Sequence, residues 1–161
     1  MSADFTTIRF ERSPDRVATI TLNRPEVLNA FDRQMCEEMR AAWRRVKDGR
    51  EVNAVVLTHA HLDHSGFLPL LAKEGFAGHV YTSPGTQDLC RILLPDSGHI
   101  QEEDAAFANR HGFSKHSPAL PLYTRQDALD CLPLIKKVTL GTTFQPIKGW
   151  RVTLTSAGHI L

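Results

Sequence analysis

Residues 58–66 have the sequence Thr-His-Ala-His-Leu-Asp-His-Ser-Gly. This stretch holds four potential metal ligands within six residues, namely His59, His61, Asp63 and His64. The apolar residues 55–57 before it predict a buried strand. The apolar residues 67–71 after it predict a helix, with Ser65-Gly66 as its capped start. The ligands are therefore expected on the loop where a strand ends and a helix begins.

The spacing of the ligands predicts how they point. His59 and His61 alternate as on a strand, so both side chains should face the same way. Asp63 and His64 should then face a neighbouring position, so one short loop could serve two adjacent metal ions. A single His or Asp is usually a solvated side chain. Four ligands in this order after a hydrophobic strand instead predict a metal site.

Composition and charge describe an ordinary globular chain. It has 161 residues, 42% hydrophobic content and a formal net charge of +1, enough for one domain with a core. Nothing in this balance requires nucleic acid, although a local basic groove is compatible with it. The three cysteines, Cys36, Cys90 and Cys131, are far apart and odd in number. They argue against a disulfide framework or a cysteine zinc site and fit a reducing cytoplasm.

Membrane association is not expected. The first residues lack the basic region and apolar core of a signal peptide. No apolar run approaches the length that spans a bilayer. The expected location is cytoplasmic.

The N-terminal third predicts a hairpin, a helix and a strand. Residues 5–22 alternate around a turn at Ser13-Pro14-Asp15, which predicts a β-hairpin. Residues 28–48 carry an apolar stripe at helical spacing, and Gly49 ends the helix. The stripe is best explained as core, and it consists of Leu28, Phe31, Met35, Met39, Ala42, Trp43 and Val46.

This N-terminal part resembles the start of enoyl-CoA hydratases (crotonases). The resemblance is carried by residues 17–25, by Leu28-Asn29-Ala30-Phe31 and by the strand at residues 52–57. It implies that the Arg24–Asn29 loop would lie near coenzyme A. The oxyanion-hole amides and acid/base glutamates of that family have no match in this chain, so coenzyme A is not an expected partner.

From Thr58 onward the chain resembles the β-CASP branch of the metallo-β-lactamase superfamily, a branch of RNA-processing nucleases. The matching residues are 59–64, 65–76, 80–86, 89–97, 101–104 and Ala157-Gly158-His159-Ile160-Leu161. The resemblance implies a zinc site formed by His59, His61 and His159, with water free to take the fourth position. It implies RNA as a partner.

The same resemblance assigns a second metal to Asp63 and His64, with Asp63 orienting the attacking nucleophile and accepting its proton. The family's bridging Asp and a further His have no match here. One zinc ion is therefore expected, and a second should be held loosely or not at all.

The remaining local patterns predict short elements. A helix is expected over 68–73, a strand over 79–82, and a helix from Pro84, capped by Ser83, to about residue 94. Residues 96–111 should be partly helical and 112–121 a loop, and the side chains of His111 and His116 should be solvated. Thr124 with Asp127 is a capping signal for a further helix. Strands are expected at 136–140 and 150–155.

Together these predictions describe an α/β chain made of two incomplete parts. Residues 1–54 form a crotonase-like segment, a hairpin, helix and strand that open the fold. Residues 55–161 form a partial metallo-β-lactamase-like αββα half-sandwich with a mixed sheet. An uncovered apolar face should favour self-association.

Three functions follow from these two parts. The first is a metal-dependent hydrolase of the RNA-processing nuclease type, weakly active or inactive as this chain. The alternatives are an acyl-CoA-binding protein of the enoyl-CoA hydratase/isomerase family and a non-catalytic metal-binding fragment.

Overall fold

The computed structural model describes residues 5–12, 18–27, 33–48 and 53–159. Within it the chain divides into two compact units, Met1–Asn53 and Ala54–Leu161.

The first unit pairs a β-hairpin with an amphipathic helix. Strands β1 (Ile8–Arg12) and β2 (Ala18–Leu22) are antiparallel, with Ile8 opposite Leu22. A 3-10 turn at Pro25–Val27 follows, and then helix α1 (Arg33–Asp48). The core comprises buried Ile8, Met35 and Ala42, flanked by Phe5, Phe10, Ile20, Leu22 and Met39.

The predicted hairpin and helix of this unit are confirmed where the structure describes them. The apolar stripe points inward because Met35, Met39 and Ala42 recur every three or four residues along α1. The predicted turn at 13–15 and the first predicted helical residues, 28–32, lie outside the described residues.

The second unit is built on a parallel sheet of three strands. Strands β3 (Ala54–Val56), β4 (His79–Thr82) and β5 (Ile135–Lys137) lie in the order β3-β4-β5. Strands β6 (Thr143–Phe144) and β7 (Val152–Thr153) form a separate antiparallel pair. The predicted α/β class is confirmed, and its parallel and antiparallel pairings lie in different sheets. The sequence did not predict β6.

Four helices connect these strands. Helices α2 (Leu62–Ser65) and α3 (Leu68–Lys73) lie between β3 and β4. Helices α4 (Pro84–His111) and α5 (Arg125–Cys131) lie between β4 and β5, followed by a 3-10 turn at Leu132–Leu134. The capping signals of α4 and α5 are confirmed. The Ser83 hydroxyl accepts from the Thr86 amide, and Thr124 and Asp127 form a reciprocal capping box.

Two local predictions are wrong. The helix predicted to end near residue 94 does not end there, because α4 runs through buried Pro95 to His111. Ser65 does not cap the start of α3. It ends α2, while Phe67 occupies the cap position of α3 without a side-chain hydrogen bond.

The core of the second unit lies between the parallel sheet and its helices. Burial raises the pKa of Cys90 to about 11 and that of Cys131 to about 12, so both free thiols stay protonated and act as small core residues. The buried residues are Leu57, Ala60, Leu68, Val80, Cys90, Leu94, Tyr123, Ala128, Cys131 and Ile135. Among the described residues, no helix is both long and apolar enough to cross a membrane.

Candidate metal centre

The loop that carries the first histidines is anchored at the end of strand β3. The Leu57 amide donates to the Tyr81 carbonyl at 2.9 Å, which extends the pairing of β3 with β4 by one residue. The Thr82 hydroxyl donates to the Leu57 carbonyl at 2.8 Å, and both residues are buried. The loop therefore leaves the sheet from a fixed point at the carboxyl end of a parallel strand, where open α/β sheets place their sites.

A second anchor holds the middle of this loop. Ala60 is 1% exposed and lies in the core, so its neighbours His59 and His61 both face away from the core. The Ser65 hydroxyl, itself fully buried, donates to the Ala60 carbonyl at 2.9 Å. The amides of His64 and Ser65 both donate to the His61 carbonyl, which begins α2 directly after the histidines.

Three histidines converge next to this loop. His59, His61 and His159 each offer one ligand nitrogen, and the three nitrogens lie within 4.8 Å of one another. The His159 ring lies edge-on to both others, with centroids 4.8 Å from His59 and 5.1 Å from His61. His159 follows β7 after a turn at Gly158, whose φ of 68° is in the left-handed region that glycine adopts without strain.

Asp63 and His64 lie beside this cluster rather than in it. Both are on α2, and Oδ2 of Asp63 lies 3.5 Å from Nε2 of His64. The His64 ring lies against that of His59, with centroids 4.2 Å apart. The five candidate ligands named from the sequence therefore form one continuous group, with three nitrogens within 4.8 Å of one another and the Asp63–His64 pair adjacent to them.

The electrostatics of the group favour the neutral imidazole of His59. Burial lowers the pKa of His59, and the positive charges that His64, His159 and His61 would carry lower it further. The Asp63 carboxylate acts in the opposite direction and is outweighed. Neutral imidazole is the form that binds a metal ion, so crowding keeps His59 ready to act as a ligand.

The donor set suits zinc. Zinc–nitrogen bonds of about 2.0–2.1 Å in a tetrahedron place ligand nitrogens roughly 3.3 Å apart. Nε2 of His59 and Nδ1 of His61 are already 3.1 Å apart. A set of three nitrogens without a carboxylate is suited to zinc and unlike the all-oxygen shells of calcium and magnesium.

Three hydroxyl residues support the site and were not singled out from the sequence. Oγ1 of Thr58 lies 2.9 Å from Nδ1 of His59, so this contact engages the ring nitrogen opposite the one that faces His61. Ser65 and Thr82 hold the loop backbone as described above. The sequence did contain a signal for two of them, because Thr58 directly precedes His59 and Ser65 directly follows His64.

Comparison with known families matches the N-terminal third of the chain to enoyl-CoA hydratase/isomerase over residues 12–63. The match supports the crotonase-like segment predicted from the sequence. It also continues through β3 and ends inside the histidine loop, further than the predicted end of the resemblance near residue 57.

Comparison with individual proteins gives a second class of relative. The transcription termination factor FttA of Methanococcus maripaludis is 35% identical over 111 residues, 69% of this chain. That of Thermococcus kodakarensis is 34% identical over 120 residues, 74% of this chain. A ribonuclease of Thermus thermophilus is 50% identical over 56 residues, 35% of this chain and 13% of its own length. The chain spans 15% and 16% of the length of the two termination factors.

Proposed function

We propose that the second unit is part of a metallo-β-lactamase fold of the RNA-processing nuclease branch, with a zinc ion held by His59, His61 and His159. The observation that carries this proposal is the convergence of three imidazoles from two separate parts of the chain. The similarity to a ribonuclease and to transcription termination factors supports RNA as the substrate class.

Each group at the site would have a separate role in hydrolysis. Zinc, when bound, would act as a Lewis acid and lower the pKa of a water molecule toward about 7. Asp63, exposed on α2 at the edge of the cluster, would orient the water and accept its proton. His64 lies between Asp63 and His59 and would keep that carboxylate at the edge of the site.

Zinc analysis of the purified chain tests the proposal. We expect about one zinc ion per chain, measured by native mass spectrometry and elemental analysis. His59→Ala should reduce zinc content and affinity strongly. His116→Ala is the matched control, since His116 is exposed and outside the cluster, and it should leave zinc binding unchanged. Zinc at background level in a metal-replete preparation, or equal losses in both variants, would contradict the proposal.

A second candidate, acyl-CoA binding, has the family match over residues 12–63 in its favour. Of that family's site the resemblance leaves only the loop near Arg24, and one edge of a pocket rarely binds a ligand well. We therefore propose that the crotonase-like segment is a structural part. Calorimetric titration with an acyl-CoA should give no saturable heat, whereas micromolar binding would favour the second candidate.

A further inference from the structure

An exposed cluster of aromatic rings lies at the end of helix α4, among residues that the metal centre does not use. We call Phe107, His111 and Phe113 the ring cluster. The ring centroids of Phe107 and His111 are 4.1 Å apart, and those of His111 and Phe113 are 5.7 Å apart with planes inclined by only 21°. Phe107 is 48% exposed and Phe113 73% exposed, so large ring faces are open to solvent.

The backbone holds the cluster in this arrangement. Phe107 and His111 are one helical turn apart on the same face of α4. Gly112 then adopts a left-handed conformation with φ 67°, and the amides of Gly112 and Phe113 both donate to the Ala108 carbonyl. This cap turns the chain back so that Phe113 lies beside the other two rings.

The His111 ring has a defined orientation. Nδ1 of His111 lies 2.9 Å from the Phe107 carbonyl, and a carbonyl can only accept, so this nitrogen carries hydrogen and donates. None of the three rings belongs to the buried core of the second unit. Single exposed apolar residues are common on proteins, whereas several in mutual contact indicate a binding surface.

The surrounding charge favours a polyanion. From Ala105 to Gln126 the sequence contains no Asp or Glu, while it contains Arg110, Lys115 and Arg125. Arg110 and Lys115 are exposed, and neither forms an ion pair with any residue that the structure describes. Of the acidic residues just before this stretch, Glu103 faces His99 at 3.4 Å, and exposed Asp104 lies three residues before Phe107 on α4. The carbonyl end of α4 contributes only about half a negative charge.

We propose that the ring cluster is a stacking platform for bases of single-stranded RNA, with Arg110 and Lys115 contacting the flanking phosphates. Proteins that bind single strands combine exposed aromatic faces with basic side chains in this way. The proposal takes RNA as the partner from the proposed function, but it needs neither the zinc ion nor catalysis. Duplex RNA should bind more weakly, because its bases are already stacked on each other.

Binding measurements without metal test this platform separately from the metal centre. The probe is a fluorescently labelled single-stranded 12-nucleotide RNA, followed by anisotropy with the full chain in excess chelator at low salt. Phe113→Ala should weaken binding by about tenfold or more, and Phe113→Leu should do the same because it keeps apolar bulk but loses the ring. Phe113→Trp should retain binding. Leu120→Ala is the matched control, since Leu120 is 77% exposed in the same acid-free stretch but carries no ring.

The basic side chains are tested by salt dependence. Lys115→Ala and Arg110→Ala should each reduce the slope of log affinity against log salt by about 0.7. Circular dichroism establishes that each variant is folded. Absence of RNA binding by the unmodified chain, or equal effects of Phe113→Ala and Leu120→Ala, would overturn the platform even if zinc binds as proposed. Self-association that Phe113→Ala abolishes, without any change in RNA affinity, would overturn it in favour of a protein contact.

Discussion

Two buried hydroxyl groups position the histidine loop without touching a metal ligand atom. Thr82 holds the carbonyl that precedes the loop, and Ser65 holds the carbonyl of Ala60 between the two histidines. Both side chains are fully buried, so no water can replace the hydrogen bond that each one makes. Metal affinity should therefore depend on these residues through the loop backbone.

Replacing Ser65 by alanine is expected to loosen this loop. The change leaves the Ala60 carbonyl unpaired in the core, which should lower the free energy of unfolding by about 1–3 kcal/mol. Zinc affinity should fall by roughly tenfold, as it does when groups that orient metal ligands are removed. Urea denaturation and a zinc-competition titration measure the two effects. Thr142→Ala, which removes an exposed hydroxyl, is the control, and equal effects of both changes would contradict the role of Ser65.

Glu38 has a comparable role in the first unit. Its carboxylate accepts hydrogen bonds from the amides and hydroxyls of Thr6 and Thr7, the shortest at 2.6 Å from the Thr7 hydroxyl. Burial alone would raise the pKa of Glu38, but these hydrogen bonds outweigh it and hold the pKa at about 2. The carboxylate thereby joins helix α1 to the start of β1.

This lowered pKa predicts a loss of stability in acid. The unfolded chain protonates Glu38 near pH 4.5, above the folded pKa, so its contribution is complete above that pH. The contribution is lost as the pH falls toward 2. Glu38→Gln should flatten this part of the stability profile and cost about 1–3 kcal/mol at pH 7. Urea denaturation between pH 2 and 7 measures it.

The neighbouring carboxylate provides the control for this experiment. Glu37 is exposed and pairs with Arg33 on the same helix at 2.9 Å, its one ion pair among the described residues. Such surface pairs contribute about 0.3–0.5 kcal/mol, so Glu37→Gln should change little. A Glu38→Gln variant with an unaltered acid profile would show that the network at Thr6 and Thr7 does not stabilise the fold.

At the scale of elements, the long helix α4 depends on its tertiary neighbours. A proline inside a helix removes a hydrogen bond and usually ends or bends it. Here the residues around Pro95 are buried against the sheet and α5, so packing compensates for the missing bond. Gly98, one turn later, permits this contact. A Cβ there would lie 2.7 Å from the Thr124 carbonyl oxygen at the start of α5.

Gly98→Ala is therefore expected to destabilise the protein despite the higher helix propensity of alanine. Propensity alone would stabilise the helix by about 1 kcal/mol. The clash with the backbone of Thr124 and Arg125 should cost more, about 1–3 kcal/mol net, as in other overpacked contacts. Gly85→Ala in the same helix has open space around its Cβ and should be neutral or stabilising. Thermal unfolding of both variants measures the difference, and a more stable Gly98→Ala variant would contradict the close contact.

At the scale of the whole molecule, the chain joins two classes of sequence and matches only a small share of its relatives. The termination factor of Methanococcus maripaludis is matched over 15% of its length. The lack of a bridging Asp and of a further His for a second metal stays a prediction. Self-association through an exposed apolar face also stays a prediction. It is consistent with the exposure of Ile92, Phe113 and Leu120, each of which is more than 60% exposed.

We expect this chain to bind zinc yet cleave RNA poorly. Two-metal hydrolases hold their ions about 3.5–4 Å apart, and Asp63 and His64 alone offer a second ion two ligands. Substrate positioning can supply about 7–11 kcal/mol of barrier lowering, and the chain matches only 15% of the length of the Methanococcus maripaludis termination factor. Multiple-turnover assays on single-stranded RNA with added zinc test this. Efficient cleavage that His61→Ala and a chelator both abolish would contradict the expectation.

The amino-acid sequence alone determined the α/β class, the order of most elements and four of the five candidate ligands, those within residues 59–64. It could do so because each of these rests on local patterns. The alternation of residues 5–12 and 18–22 predicts the hairpin, the spacing of Met35, Met39 and Ala42 predicts α1, and the cap at Thr124 predicts the start of α5. The four candidate ligands of residues 59–64 likewise lie within one short stretch, so a local pattern identifies them.

Only the tertiary structure decided which of these groups meet, because convergence depends on contacts between residues far apart in the chain. It placed His159, from beyond β7, beside His59 and His61, a meeting that local patterns left open and that only the family resemblance implied. It also assigned Ser65 and Thr82 to the support of the loop. It also carried α4 through Pro95, since burial of that segment outweighs the local preference of proline to end a helix. The ring cluster could not be predicted from local patterns either. It forms only because the turn at Gly112 brings Phe113 back beside Phe107 and His111.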